Sequence, residues 1–292
     1  MTTPPAAPLT DGHPRDQVHY REYKILLRPE RFTSADSFRE FWKVARHVAK
    51  ELGVGATTSP EAEGSFIREV LFYDTERFHL YNSSFILRKR TFYDKGWPRD
   101  EHELVLKFRH ADMETAAAVD VRSTLAGDCK IKFKEELLLL RSELGGMRSI
   151  FSHVAVLFTP RITLDRGLED IASSFPALRR IDAEPHERIA LVNSVAVEEI
   201  ESRLGDLDFG HGLDAKATIA VWRNRATESS LAGEFAFQCT FQRLEELHKK
   251  AKALSEEFYK RLQLAAPDWV LLGTTKTAMV YGLGKTRVTN HE

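Results

Sequence analysis

The chain has only two cysteines, Cys129 and Cys239. They are too few and too far apart to suggest a disulfide framework or a cysteine-rich zinc site, so both read as reduced, buried thiols, with the cytoplasm as the expected compartment. No stretch approaches the roughly 20 apolar residues of a membrane-spanning helix. Charge of one sign is not in excess either. Against 42 Lys and Arg stand 43 Asp and Glu, a formal net charge of −1 that exerts no global pull toward nucleic acid or a membrane. Familiar phosphate loops are missing, since neither GxxxxGK[ST] nor GxGxxG occurs. HExxH and GxSxG are absent as well, which removes the main signals for zinc and serine hydrolases. Any phosphate group must therefore be held by side chains.

What is present is an ordinary globular composition, 292 residues with 42% hydrophobic and 29% charged, ample for a large buried core. The opening "MTTPPAAPLTDGHPRD" lacks a basic start and an apolar segment, so residues 1–16 are expected to be a disordered tail rather than a signal peptide. No internal repeat or linker divides residues 17–292, which read as one domain.

Apolar spacing predicts a helix behind Ser34, carrying Phe38, Phe41, Trp42, Ala45, Val48 and Ala49 on one face and stopped at Gly53. Residues 53–64 read as a loop. "CKIKFKEELLLLRSELGG" is expected to begin as a strand and become a helix ending at Gly145, and "PRITLD" to form a strand. A helix with Leu244, Leu247, Ala251, Leu254, Phe258 and Leu262 on one face is expected near the C-terminus, followed by a packed, extended segment around "TTKTAMVYGL". Trp222 reads as a core or interface aromatic rather than a base-stacking platform. About eight strands joined largely by hairpins, with a few helices, give an α+β class.

The strands repeat one pattern. Glu22 and Lys24 alternate with Tyr23 and Ile25, and Arg88 and Arg90 share a face. Lys107 and Arg109 lie opposite Leu106 and Phe108. Lys130, Lys132 and Lys134 lie opposite Ile131 and Phe133, Arg161 and Thr163 opposite Ile162, and Lys216 and Thr218 opposite Ala217. Glu234, Ala236 and Gln238 alternate with Phe235 and Phe237. A solvated face normally mixes both signs, whereas these rows are biased toward cations that repel unless an anion sits among them. Closing the sheet into a barrel turns the rows inward and yields a cavity suited to phosphate groups, with the apolar faces outside under helices. Reactive phosphates commonly need a divalent metal with carboxylate ligands. Glu22 and Glu234 have the right strand phase for that role, while Glu199 and Glu201 read more simply as surface charges.

In this order the motifs resemble the CYTH superfamily, the triphosphate tunnel enzymes, and are similar to the related VTC polyphosphate polymerase domain. "YREYK" resembles the family's E-x-E-x-K strand, and "FYDTERFHLYNSSFILRKR" its Y-x-D-T segment and R-x-R strand. "ELVLKFR" resembles the strand with a central Lys, "PRITLDRGL" a later strand with a phosphate-binding Arg, and "GEFAFQC" the late acidic strand. "TTKTAMVYGL" is a looser echo of a C-terminal Lys segment.

The resemblance implies a closed or nearly closed antiparallel β-barrel, a tunnel of about eight strands with flanking helices. It also implies metal-dependent hydrolysis of a triphosphate, polyphosphate or nucleotide with Mg²⁺ or Mn²⁺. Carried over by position, Lys24, Arg88, Arg90, Lys107, Arg109 and Arg161 would grip phosphates, with Lys132, Lys134, Lys216 and Lys276 as additions, and Glu22 and Glu234 would hold metal. Tyr20 stands where the family has its first Glu, and Ala236 or Gln238 where the late strand has a second acid or a Lys. That departure keeps open an alternative, a non-catalytic module that binds a phosphorylated ligand. Nucleic acid is not an expected partner, because aromatics do not interleave with the basic rows.

Overall fold

The alternating residues form ten strands in the computed structural model, which describes residues 17–241, 244 and 247–284. The expected tail, residues 1–16, lies outside the described residues. In chain order the strands are β1 (Tyr20–Leu27), β2 (Gly55–Thr58), β3 (Phe66–Asp74), β4 (Phe85–Asp94), β5 (Trp97–His110), β6 (Cys129–Leu138), β7 (Arg148–Phe158), β8 (Ala190–Asp208), β9 (Asp214–Asn224) and β10 (Ser230–Thr240). The helices are α1 (Asp36–Glu51), α2 (His79–Asn82), α3 (Met113–Ala117), α4 (Leu168–Ser174), α5 (Lys249–Ala265) and α6 (Lys276–Tyr281).

Nine strands close into a ring in the order β8-β3-β4-β5-β7-β6-β1-β10-β9, with β9 hydrogen-bonded back to β8. A ring with an odd number of strands cannot alternate direction at every step, so at least one neighbouring pair must run parallel. That pair is β1 and β6, with Tyr20 beside Lys134 and Lys24 beside Leu138. The expected barrel with flanking helices is present, but it has nine strands rather than about eight and is mixed rather than antiparallel. The short β2, in the segment expected to be a loop, lies outside the ring and pairs with the last residues of β8. Gly205 permits that approach, since a Cβ there would stand 1.9 Å from the Thr57 carbonyl oxygen.

Three further expectations are corrected. β6 keeps its extended backbone through Leu138, and no helix follows it before β7 begins at Arg148, because its whole length is paired with β7, from Cys129 beside Leu157 to Leu138 beside Arg148. "PRITLD" is not a strand. β7 ends at Phe158, and Thr159, with φ of 48°, and Pro160 break the extended path. "TTKTAMVYGL" is not extended: Thr275 caps α6 by accepting the Ala278 amide at 3.1 Å.

The main apolar core lies outside the ring. Tyr23, Ile25 and Leu27 of β1, with Phe235 and Phe237 of β10, pack beneath Phe41 and Trp42 of α1 and Phe258 and Leu262 of α5. On the opposite wall Leu87, Leu104, Leu106 and Leu157 are covered by α4 and the loops around it. Burying these faces outward leaves the alternate residues facing inward. At one end the inward face is itself apolar. Val70 and Phe72 stand opposite Arg90 and Arg88, and with Trp222 they pack against Val280 and Tyr281 of α6, so this helix stops one end of the ring. Asp74 holds α6 in place by accepting the Tyr281 hydroxyl at 3.1 Å. Asn193 donates to the Val280 and Tyr281 carbonyls at 2.8 and 3.0 Å.

Candidate anion-binding chamber

The ring encloses a cavity of about 400 Å³. Lys24, Arg88, Arg90, Lys107, Arg109, Lys132, Lys134, Lys216 and Lys276 all line it, as do Glu22 and Glu234. Strand alternation brings ten of these together from six strands, and the N-terminus of α6 contributes Lys276. Arg161 does not join them. It is exposed in the irregular segment after β7, outside the wall of the chamber. Trp222, expected in the core or at an interface, is buried and also forms part of the wall. Among the described residues, twelve Lys and Arg and four Glu line the cavity.

Two residues that organise the chamber were missed in the sequence. Glu136 is fully buried, with Lys24 Nζ at 3.1 Å and Arg109 Nη2 at 3.1 Å from its Oε2. Lys107 Nζ and Ser152 Oγ donate to its Oε1, the latter at 2.6 Å. Its signal was present, because Glu136 continues the parity of Lys132 and Lys134, but reading a helix at this point cut the pattern short. Arg68 lines the wall and is paired with Glu199 at 2.5 Å and Glu201 at 2.7 Å. Its neighbours in phase, Val70 and Phe72, are apolar and concealed it. Glu199, read as a surface charge, is 1% exposed.

Burial works against the charge on these carboxylates, but their cations outweigh it. Lys134 and Lys24 hold Glu22 well below the usual carboxylate range, and Arg109, Lys107 and Lys24 do the same for Glu136. Arg68 and Lys276 hold Glu199 down in the same way. Lys276 lies 2.8 Å from Glu234 and 4.6 Å from the centre of the Trp222 ring. The Arg88 side chain makes no ion pair with any described residue, and its Nε is buried without a hydrogen-bond partner. Burial, then Arg90 beside it, pushes its guanidinium down to about 9, still charged at neutral pH. Lys132 lies over the Tyr20 ring at 5.7 Å, as does Lys134 at 5.6 Å. Tyr20 thus presents a π-face to two ammonium groups.

Among the described residues no group of three or more His, Cys, Asp or Glu is placed to hold a metal ion. Magnesium is usually held by one or two carboxylates together with substrate phosphates, not by an all-protein cage. Glu22 and Glu234 are oxygen donors on the chamber wall and suit that mode. They are separate points, however. Glu22 stands opposite Gln238, and Glu234 lies four residues along β10, about 13 Å of strand, with Lys24 between.

No protein-family model matches the chain, and no curated protein matches it. Solved structures do align. A Hippeastrum protein described as a candidate adenylyl cyclase with a dominant triphosphatase activity is 15% identical, covering 94% of this chain and 100% of its own at a TM-score of 0.39. A candidate adenylate cyclase from Bacillus halodurans is 10% identical, with 89% and 95% covered and a TM-score of 0.38. A Pyrococcus horikoshii protein is 10% identical, with 91% and 100% covered and a TM-score of 0.38. At such scores the function rests on the chamber. No helix among the described residues is long and apolar enough to cross a membrane.

Proposed function

We propose that the chamber binds the phosphate chain of a triphosphate, polyphosphate or nucleotide and promotes its hydrolysis, as the resemblance to the CYTH superfamily implies. The observation that carries this reading is the surplus of cations over acids inside a closed wall, twelve against four. A cavity with low-dielectric walls focuses such a surplus on whatever anion enters. Arg88, Arg90 and Arg109 offer planar donor pairs to phosphate oxygens, and Lys107, Lys132, Lys134 and Lys216 supply point charges. In hydrolysis, water attacks in line while these groups stabilise charge on the leaving phosphate. Mg²⁺ or Mn²⁺, held at Glu22 or Glu234 with the substrate's own oxygens, would neutralise phosphate charge.

The test is phosphate release from tripolyphosphate and nucleoside triphosphates with Mg²⁺ or Mn²⁺, from neutral to alkaline pH. Release is expected, and its absence with every substrate would remove the hydrolytic reading.

A second reading, binding without turnover, is favoured by a specific observation. Each acid on the wall already has a cation beside it: Lys24 and Lys134 at Glu22, Lys276 at Glu234, and Arg68 at Glu199 and Glu201. Tight, metal-independent binding of tripolyphosphate with no release of phosphate would select this alternative.

A further inference from the structure

Chamber cations differ in how they are partnered. Arg88 has no carboxylate partner among the described residues, whereas Lys24, Lys107 and Arg109 converge on one buried carboxylate, Glu136. These three cations are partly exposed to the cavity, with 11 to 15% of each side chain accessible, while Glu136 is 0% exposed. The carboxylate therefore lies behind the cations and grips them from the side away from the cavity.

An ionised carboxylate has about four lone-pair sites. All four at Glu136 are used, two donors on each oxygen: Lys24 and Arg109 on Oε2, Lys107 and Ser152 on Oε1. No lone pair is left to bind a metal, take a proton from water or meet substrate. We propose that Glu136 is a positioning residue, an anionic hub that fixes the spacing of Lys24, Lys107 and Arg109 so that all three meet the same end of a bound phosphate chain. This rests on the reading that the chamber binds phosphate chains.

Three like charges on two strands, one on β1 and two on β5, would otherwise part. Orientation by a partner behind the contacting groups is a general device, and its loss typically costs 10- to 100-fold where metal ligands are so held. The hub also makes a prediction opposite in sign to simple electrostatics. Removing a negative charge from the chamber should tighten anion binding if net charge alone governed it, and should weaken binding if placement does.

The experiment is calorimetric titration of the full chain with tripolyphosphate, without metal and at fixed ionic strength. Unmodified protein is compared with Glu136→Gln, which keeps shape without charge, and Glu136→Asp, which keeps charge one methylene short. Both variants are expected to lose at least tenfold in affinity. Unchanged or tighter binding by Glu136→Gln, or full affinity in Glu136→Asp, overturns the proposal, because a hub that sets spacing tolerates neither change. Thermal melting shows whether each variant is folded. If Glu136→Gln is not, Ser152→Ala removes one of the four donors with little change in shape and is expected to lose about threefold in affinity, where no loss overturns the hub. Failure of the unmodified chain to bind tripolyphosphate overturns the functional reading and the hub together, whereas binding that both variants retain removes the hub alone.

Discussion

Glu22 and Glu136 stand side by side in register on the parallel strands β1 and β6, and Lys24 Nζ lies 3.1 Å from an oxygen of each. Two adjacent carboxylates normally raise one another's pKa. Here the shared lysine, reinforced by Lys134 on Glu22 and by Lys107 and Arg109 on Glu136, keeps both ionised. The division of labour follows from burial: Glu22 lines the cavity, whereas Glu136, on the same inward face, is buried beneath the cations.

Glu22→Gln and Glu234→Gln separate metal recruitment from anion binding. Each is expected to raise the Mg²⁺ concentration for half-maximal phosphate release at least tenfold. Metal-free binding of tripolyphosphate should stay equal or tighten, because a competing carboxylate has gone. A metal titration of hydrolysis beside metal-free calorimetry checks both halves.

Arg88→Ala removes a cation that has no ion-pair partner among the described residues. Charge-assisted hydrogen bonds contribute about 1.5–3 kcal/mol, so tripolyphosphate affinity is expected to fall about 10- to 150-fold. The melting temperature should hold or rise, since burial and the charges of Arg90 and Arg68 outweigh the attraction of Glu199 and Glu103 at Arg88. Calorimetry and thermal melting together decide this, and a lowered melting temperature with intact affinity would contradict it.

Lys132 gives binding a pH dependence. Burial first, then Lys134 and Lys130, push its ammonium down to about 8. Its charge is present below that value and is lost as pH rises through it, so tripolyphosphate affinity should fall between pH 7 and 9. Lys132→Arg, which stays charged, is expected to flatten that part of the profile.

Asp74 ties stability to pH in the same direction. Burial raises its carboxyl from 3.8 to about 7, despite amide donors from Tyr81, Leu80 and Thr75 and the Tyr281 hydroxyl. Between those values the folded chain holds a proton that the unfolded chain has released, so this contribution to stability is full at low pH and is lost as pH rises toward 7. Melting temperature is expected to fall from pH 5 to pH 8, and Asp74→Asn to reduce that slope. Tyr281→Phe, which loosens α6, should lower melting by a few degrees.

Alternation made the inward rows of β1, β4, β5 and β10 legible, because period two is local and needs no partner. What the sequence could not supply was pairing. Nothing in "YREYK" says that β1 lies beside β6, 112 residues away, so the meeting of Glu22 with Glu136 was invisible. Glu136 itself was hidden by its setting in "KEELLLL", where a leucine run matched a helix as readily as a buried strand. Arg161 failed for the opposite reason. "PRITLD" alternates well, but Pro160 and the turn at Thr159 take it off the sheet, and a short alternating run carries no information about whether a partner strand is present. Lys276 was found by resemblance to a C-terminal segment, and only the packing of Val280 and Tyr281 against Phe72 shows why it reaches the chamber.

The odd ring also governs how the chamber comes into being. Most ring neighbours, such as β3 with β4 or β9 with β10, can pair early through short connections, but the parallel seam joins the first strand of the chain to the sixth and no hairpin can make it. Long loops must close before β1 lies between β6 and β10, a slow step in folding. Lys24 cannot meet Glu136 until then, and Glu22, the carboxylate that pairs with Lys134, arrives on the same closing strand. A chain stalled before that stage should show its hairpins intact and no affinity for phosphate.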